Sequence, residues 1–131
     1  MARWIRGFTL IELMIVLTVA AIILTIAVPA YTSQMRKSRR SEVLAQLQAL
    51  ALAQEQYRAN NASYATTAQL GSPTATHYTI AVTAQSATGF TLTATAKGGD
   101  DQNNDKSQGN TCTPLTLDQA GGHGTKQVCW Q

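Results

Sequence analysis

The sequence predicts an α+β protein, a long N-terminal helix packed on a small antiparallel sheet. Three observations carry that expectation. Leu13 to Ala30 is an apolar run without a single charge. Residues 41–58 set apolar side chains at helical spacing. The rest of the chain is poor in large apolar side chains but alternates in short, strand-like segments.

The chain has 131 residues and a formal net charge of +3, and 13% of its residues are charged. That length gives one small domain. The charged share is about half that of an ordinary soluble domain. Residues 62–131 hold only eight Leu, Ile, Val or Phe, so this part cannot bury much core by itself. These features argue against a large multidomain enzyme and a freely soluble globule. Low net charge and patterned apolar residues argue against a disordered chain.

Arg3 and Arg6 precede the apolar run as in an export signal, but signal cores run to about 7–15 residues. Phe8 to Tyr31 covers 24 residues, enough to cross a hydrocarbon layer about 30 Å thick as a helix. Two residues do not fit a plain anchor. Glu12 lies five residues into the span, where a carboxylate costs about 2.5–3.5 kcal/mol unless it snorkels or is paired. Pro29 removes the hydrogen bond to the Thr25 carbonyl, which predicts a kink or a helix end.

Arg6-Gly7-Phe8-Thr9-Leu10-Ile11-Glu12, followed by Leu13-Met14-Ile15-Val16 and by Pro29, resembles the start of a type IV prepilin. That family pattern is a short basic leader ending in Gly, then Phe, then Glu four residues later, then an unbroken apolar helix. The resemblance implies cleavage by a prepilin peptidase between Gly7 and Phe8 and methylation of the new Phe8 amine. It implies that Glu12 pairs with that amine, in its own or a neighbouring subunit, and so registers incoming subunits during assembly. Charge counting alone opposes the family orientation, because Arg36, Lys37, Arg39 and Arg40 follow the span. The cleavage motif is the more specific signal, and it places the leader in the cytoplasm and the rest outside.

From Ser41 the chain reads as an amphipathic helix with Val43, Leu47, Leu50, Gln54 and Tyr57 on one stripe. Glu55 and Arg58 are spaced to pair weakly. Asn60-Asn61, which tolerate a left-handed backbone, are expected to end it. The cluster at 36–40 reads as a solvated collar in preference to a patch for DNA or lipid phosphate, since no aromatic residues interleave with it.

Short strands are expected at Tyr78–Val82, at Phe90–Thr95, from Leu115 and at Lys126–Trp130, with a turn at Gly121–Gly124. Their connections are too short for parallel crossovers. Tyr78, Ile80, Val82, Phe90, Leu92, Leu115, Leu117 and Val128 would face inward. They are too few for a two-sheet sandwich but enough to cover one stripe of the helix. Cys112 and Cys129, outside the cytoplasm, read as a disulfide, which resembles the C-terminal loop of pilins.

Asp101, Asn103, Asp105 and Ser107 alternate like the first half of a calcium loop. The match then fails, with Lys106 where Gly is needed and Cys112 where Glu is needed. Asp101, Asn103 and Asp105 are thus metal candidates by pattern only, and Gly98–Asn110 is expected as a mobile surface loop. His77 and His123 have no acid at a motif spacing, and no nucleophile elbow, phosphate loop or zinc-protease motif is present. Neither an enzyme nor a cofactor is expected.

The resemblance therefore implies a type IV pilin fold. Residues 1–7 would be a cleaved leader and 8–31 the transmembrane and filament-core half of the helix. Residues 32–61 would be its amphipathic half, and 62–131 a head forming one domain with 41–61. The expected function is a structural subunit of a type IV pilus, a minor pilin, serving assembly and pilus-dependent adhesion, motility or DNA uptake. A pseudopilin of a type II secretion system is the alternative. Expected partners are the peptidase, other pilin subunits, the inner-membrane assembly machinery and, before assembly, membrane lipid; nucleic acid is the weakest of them. The chain would sit in the bacterial inner membrane with its head outside, and later in the pilus.

Overall fold

The computed structural model describes residues 7–124 and 127–131. Helix α1 spans Leu10–Arg58 and continues through Pro29. The strands are β1 (Tyr78–Gln85), β2 (Phe90–Ala96), β3 (Lys106–Ser107), β4 (Asn110–Thr111) and β5 (Leu115–Asp118). Two 3₁₀ turns lie at Asp101–Asn104 and Gln127–Trp130. The chain forms two compact units, one up to Gln34 and one from Met35.

In the first unit the large apolar side chains from Phe8 to Tyr31 are exposed. This part of α1 is long and apolar enough to cross a membrane. Its polar side chains are satisfied locally, as a hydrocarbon solvent requires. Thr18, Thr25 and Thr32 donate their hydroxyls to the carbonyls of Met14, Ile22 and Pro29 at 2.8, 2.7 and 3.0 Å.

In the second unit α1 buries Arg40, Val43, Leu47 and Gln54. Their spacing of three, four and seven residues keeps them on one stripe. The sheet has the order β1-β2-β5 and is antiparallel throughout. Register pairs Ile80 with Ala94 and Leu92 with Leu117. Alternation then turns Tyr78, Ile80, Phe90, Leu92, Ala94, Leu115 and Leu117 inward, into one core with Val43 and Leu47. Tyr64 adds its ring edge-on to Phe90, centroids 5.0 Å apart. Val82 and Val128, also expected inward, are half-buried at the margin of this core.

Gln54 makes a helix-to-loop tie. Its amide donates to the Ala65 carbonyl at 2.9 Å and accepts from the Ala65 N–H at 2.7 Å, with both residues fully buried. One amide side chain thus satisfies both backbone groups of a buried residue.

Several expectations are corrected. The fourth strand is not formed: Gln127–Trp130 is a 3₁₀ turn, and Lys126 lies outside the described residues. Asn60-Asn61 do not end α1 by a left-handed backbone; the Asn61 side-chain amide instead donates to the Tyr57 carbonyl at 2.7 Å. Glu55 and Arg58 do not pair. Glu55 accepts from the Tyr64 hydroxyl at 3.0 Å, and Arg58 donates to the carbonyls of Ala87 and Asn61. The Tyr64 hydroxyl and the two carbonyls take up the groups that Glu55 and Arg58 would have offered each other.

Gly98–Asn110 is held in place rather than loose. It contains the first 3₁₀ turn, capped by Asp100, and the β3–β4 hairpin. Gln108 and Gly109, with φ of 49° and 81°, form the tight turn of that hairpin. Ser107 ties it to the Val128 carbonyl at 2.9 Å. Cys112 and Cys129 are joined in a disulfide and fully buried. At Gly122 any side chain would collide with the Asp118 carboxylate, which accepts the Gly122 N–H at 2.6 Å.

The disulfide closes a separation of 17 residues around a small core. Replacing both cysteines by serine should lower the stability of the head by about 3 kcal/mol, read from the urea midpoint of the full chain in non-ionic detergent. An unchanged midpoint would show that the core holds the C-terminal segment unaided.

Candidate functional site

At the N-terminal end of α1, Thr9 and Glu12 satisfy each other. Glu12 Oε2 accepts from the Thr9 N–H at 2.9 Å and from the Thr9 hydroxyl at 2.7 Å. The Glu12 N–H donates to Thr9 Oγ1 at 3.2 Å. This reciprocal arrangement is a capping box, and it supplies the Glu12 carboxylate with two donors inside its own chain. Gly7 and Phe8 lie immediately before it, and Phe8 is exposed.

The cluster at 36–40 is divided by the fold. Arg36 forms a bidentate pair with Asp101, with Nε to Oδ2 and Nη2 to Oδ1 both at 2.7 Å. Arg40 meets both oxygens of Asp105 at 2.8 and 2.7 Å, and each of these side chains is only 4% exposed. Lys37 is exposed and Arg39 half-buried. Two of the four cations are therefore turned inward, which corrects the expectation of a solvated collar. The two pairs match in register: one helical turn separates Arg36 from Arg40, and the same four residues separate Asp101 from Asp105.

A third carboxylate joins them. Asp100 Oδ2 lies 2.9 Å from His77 Nδ1, and Asp100 Oδ1 accepts the Gln102 N–H at 2.8 Å. Gln102 is fully buried and donates to the Arg36 carbonyl at 2.9 Å. The turn is thus held at four points by polar contacts alone. The Asp101 carboxyl is held below the usual carboxylate range by the Arg36 guanidinium. Asp100 is held down by the Gln102 N–H first and by His77 second. Burial pushes the Tyr78 phenol up to about 12. The Gln102 amide approaches that phenol without the geometry of a full hydrogen bond; Tyr78 Oη and Gln102 Oε1 have no such partner among the described residues.

The three residues singled out by the calcium-like spacing are engaged elsewhere. Asp101 faces Arg36, Asp105 faces Arg40, and Asn103 donates to the carbonyls of Lys97 and Asp100 at 2.7 and 2.9 Å. Among the described residues no three His, Cys, Asp or Glu side chains converge on a point. His123 stacks on Trp130, with centroids 3.9 Å apart and rings 10° from parallel. Sequence reasoning missed the pairing of Arg36, Arg40 and His77. Its one visible trace was the equal four-residue spacing of the two arginines and of the two aspartates.

A long apolar N-terminal helix, a small antiparallel sheet on its second half and a C-terminal disulfide together define a type IV pilin-like protein. Two family models agree. Residues 5–28 match the prokaryotic N-terminal methylation motif, and residues 29–116 match the type IV minor pilin ComP, DNA uptake sequence receptor. The second match covers about two-thirds of the chain, and the chain belongs to that ComP family of type IV minor pilins.

Curated relatives include the type II secretion system core protein G of Klebsiella pneumoniae, 36% identical over 64 residues, which is 49% of this chain and 46% of that protein. The type IV major pilin protein PilA of Myxococcus xanthus is 44% identical over 52 residues, 40% of this chain and 24% of that protein. Fimbrial protein Q of Moraxella bovis is 48% identical over 44 residues, 34% of this chain and 28% of that protein. The match thus spans less than half the length of each of these relatives.

Removing one partner of the buried pair leaves the other charge uncompensated. Arg40→Met or Asp105→Leu alone should destabilise the head by about 3–5 kcal/mol, and the double substitution should recover most of that loss. Urea melts of the four forms check this; equal losses in single and double variants would show that Arg40 and Asp105 act independently.

Proposed function

We propose that this chain is a minor subunit of a type IV pilus, cut between Gly7 and Phe8 and methylated on the Phe8 amine. Residues 8–31 would hold it in the inner membrane and then pack in the filament core, with Pro29 kinking the helix. Its head would receive DNA during uptake. The observation that carries this reading is the family match over residues 29–116, which includes β1, β2, the acidic turn and both arginine pairs.

The assembly step has a physical basis in Glu12. In the membrane its carboxylate is supported by Thr9. After cleavage the Phe8 amine becomes a cation one residue before Thr9, and pairing the two charges in the filament lowers the cost of burying either. A DNA role draws on the charges the fold leaves free. Lys97 and Lys106 are exposed, and neither has an ion pair among the described residues. Such cations bind phosphate by releasing counterions.

A pseudopilin of a type II secretion system is the second reading, favoured by the Klebsiella pneumoniae core protein G. Loss of protein secretion on deletion, with pili intact, would select it.

Mass spectrometry of the membrane-extracted protein should find a chain beginning at Phe8 with one added methyl group. Glu12→Ala should be processed normally yet be absent from sheared filaments; normal amounts there would remove Glu12 from assembly. For DNA, anisotropy of a labelled duplex with the full chain in non-ionic detergent should show affinity falling with salt. Each of Lys97→Ala and Lys106→Ala should flatten the log–log slope by about 0.9. Salt-insensitive or absent binding would overturn the receptor role.

A further inference from the structure

Arg36, Lys37, Arg39 and Arg40 are the densest positive charge in the chain, and the fold lays its densest negative charge against them. Asp101 and Asp105 pair with Arg36 and Arg40, and Asp100 and Asp101 both feel the charge of Arg39. Three carboxylates against four cations leave one formal positive charge where the sequence alone offers four.

The two ion pairs are unequal. Arg40–Asp105 is sealed from water and belongs to the core. Arg36–Asp101 is open, with Asp101 49% exposed and Arg36 23% exposed. An exposed pair contributes little to stability. Asp101 is also not free to swing away, because Asp100 holds His77 and Gln102 holds the Arg36 carbonyl on either side of it. Its charge therefore stays over the helix whether or not a ligand arrives.

We propose that the Asp100–Asp105 turn is an electrostatic mask that keeps nucleic-acid phosphates off the basic turn of α1, with Asp101 as the residue that sets its strength. The inference rests on the DNA reading above. It makes Asp101 a determinant of selectivity: by neutralising Arg36 it directs phosphate contacts to cations elsewhere on the head and limits sequence-independent binding. The basic cluster is a latent anion site and not the working one.

The test uses the full chain in non-ionic detergent with a labelled duplex of arbitrary sequence. Asp101→Asn should tighten binding roughly threefold at moderate salt and steepen the log–log salt slope by about 0.9, the value of one added phosphate contact. Arg36→Gln breaks the same ion pair but frees a carboxylate instead of a cation, so it should leave binding equal or weaker. The double variant Arg36→Gln/Asp101→Asn should return to the parent affinity.

Loosening of the turn alone would move both single variants in the same direction, and that result would overturn the mask, as would unchanged or weaker binding by Asp101→Asn. A gain toward phosphatidylglycerol vesicles without a gain toward duplex would overturn DNA as the masked ligand. If Lys97→Ala and Lys106→Ala leave binding unchanged while Asp101→Asn tightens it, the receptor surface assigned to those lysines fails and the mask stands. If neither the parent nor Asp101→Asn binds duplex, both readings fail.

Discussion

The Arg40 side chain reaches out from α1 to Asp105 across a sequence separation of 65 residues, and both side chains are almost closed to water. Neither charge is tolerable there without the other. That dependence matters because the segment it anchors has no other strong reason to dock. From Lys97 to Pro114 there is no Leu, Ile, Val or Phe. The hydrophobic effect cannot hold such a segment, so directed polar contacts do it. Arg40, Arg36 and His77 take the three carboxylates, and Gln102 reaches the Arg36 carbonyl. Cys112 follows directly and fixes the far end to Cys129.

The two parts of α1 solve different problems. Between Phe8 and Tyr31 it exposes apolar side chains, and the hydroxyls of Thr18, Thr25 and Thr32 fold back on its own carbonyls. Beyond Met35 it carries a narrow stripe, Val43 and Leu47, that the sheet covers. The sheet in turn has too few large residues to close on itself, and small ones such as Ala94 and Ala96 lie buried in the same core. Gln54 completes this by satisfying the backbone of Ala65 where water is excluded.

Charge pairing also decides what remains for a partner. Internal bonds consume Arg36, Arg40 and Arg58, which between them hold two aspartates and two carbonyls. Lys37, Lys97 and Lys106 are left outside. This division suits the two side chains. The planar guanidinium makes the bidentate, partly buried contacts, and the strongly hydrated ammonium stays in water.

Local features were legible in the order of the residues alone. That order gave away the apolar span, the motif around Gly7, Phe8 and Glu12, the stripe at Val43 and Leu47, three of the strands and the cysteine pair, because periodicity and spacing are local quantities. It could not assign partners across long separations. Arg36 and Arg40 read as solvated, Asp101 and Asp105 as half of a metal loop, and Gly98–Asn110 as loose, since each was judged without its counterpart. The Gln127–Trp130 segment alternates like a strand but is a 3₁₀ turn. The folded arrangement settled these, because a polar side chain's role depends on which charge faces it and how much water is excluded between them.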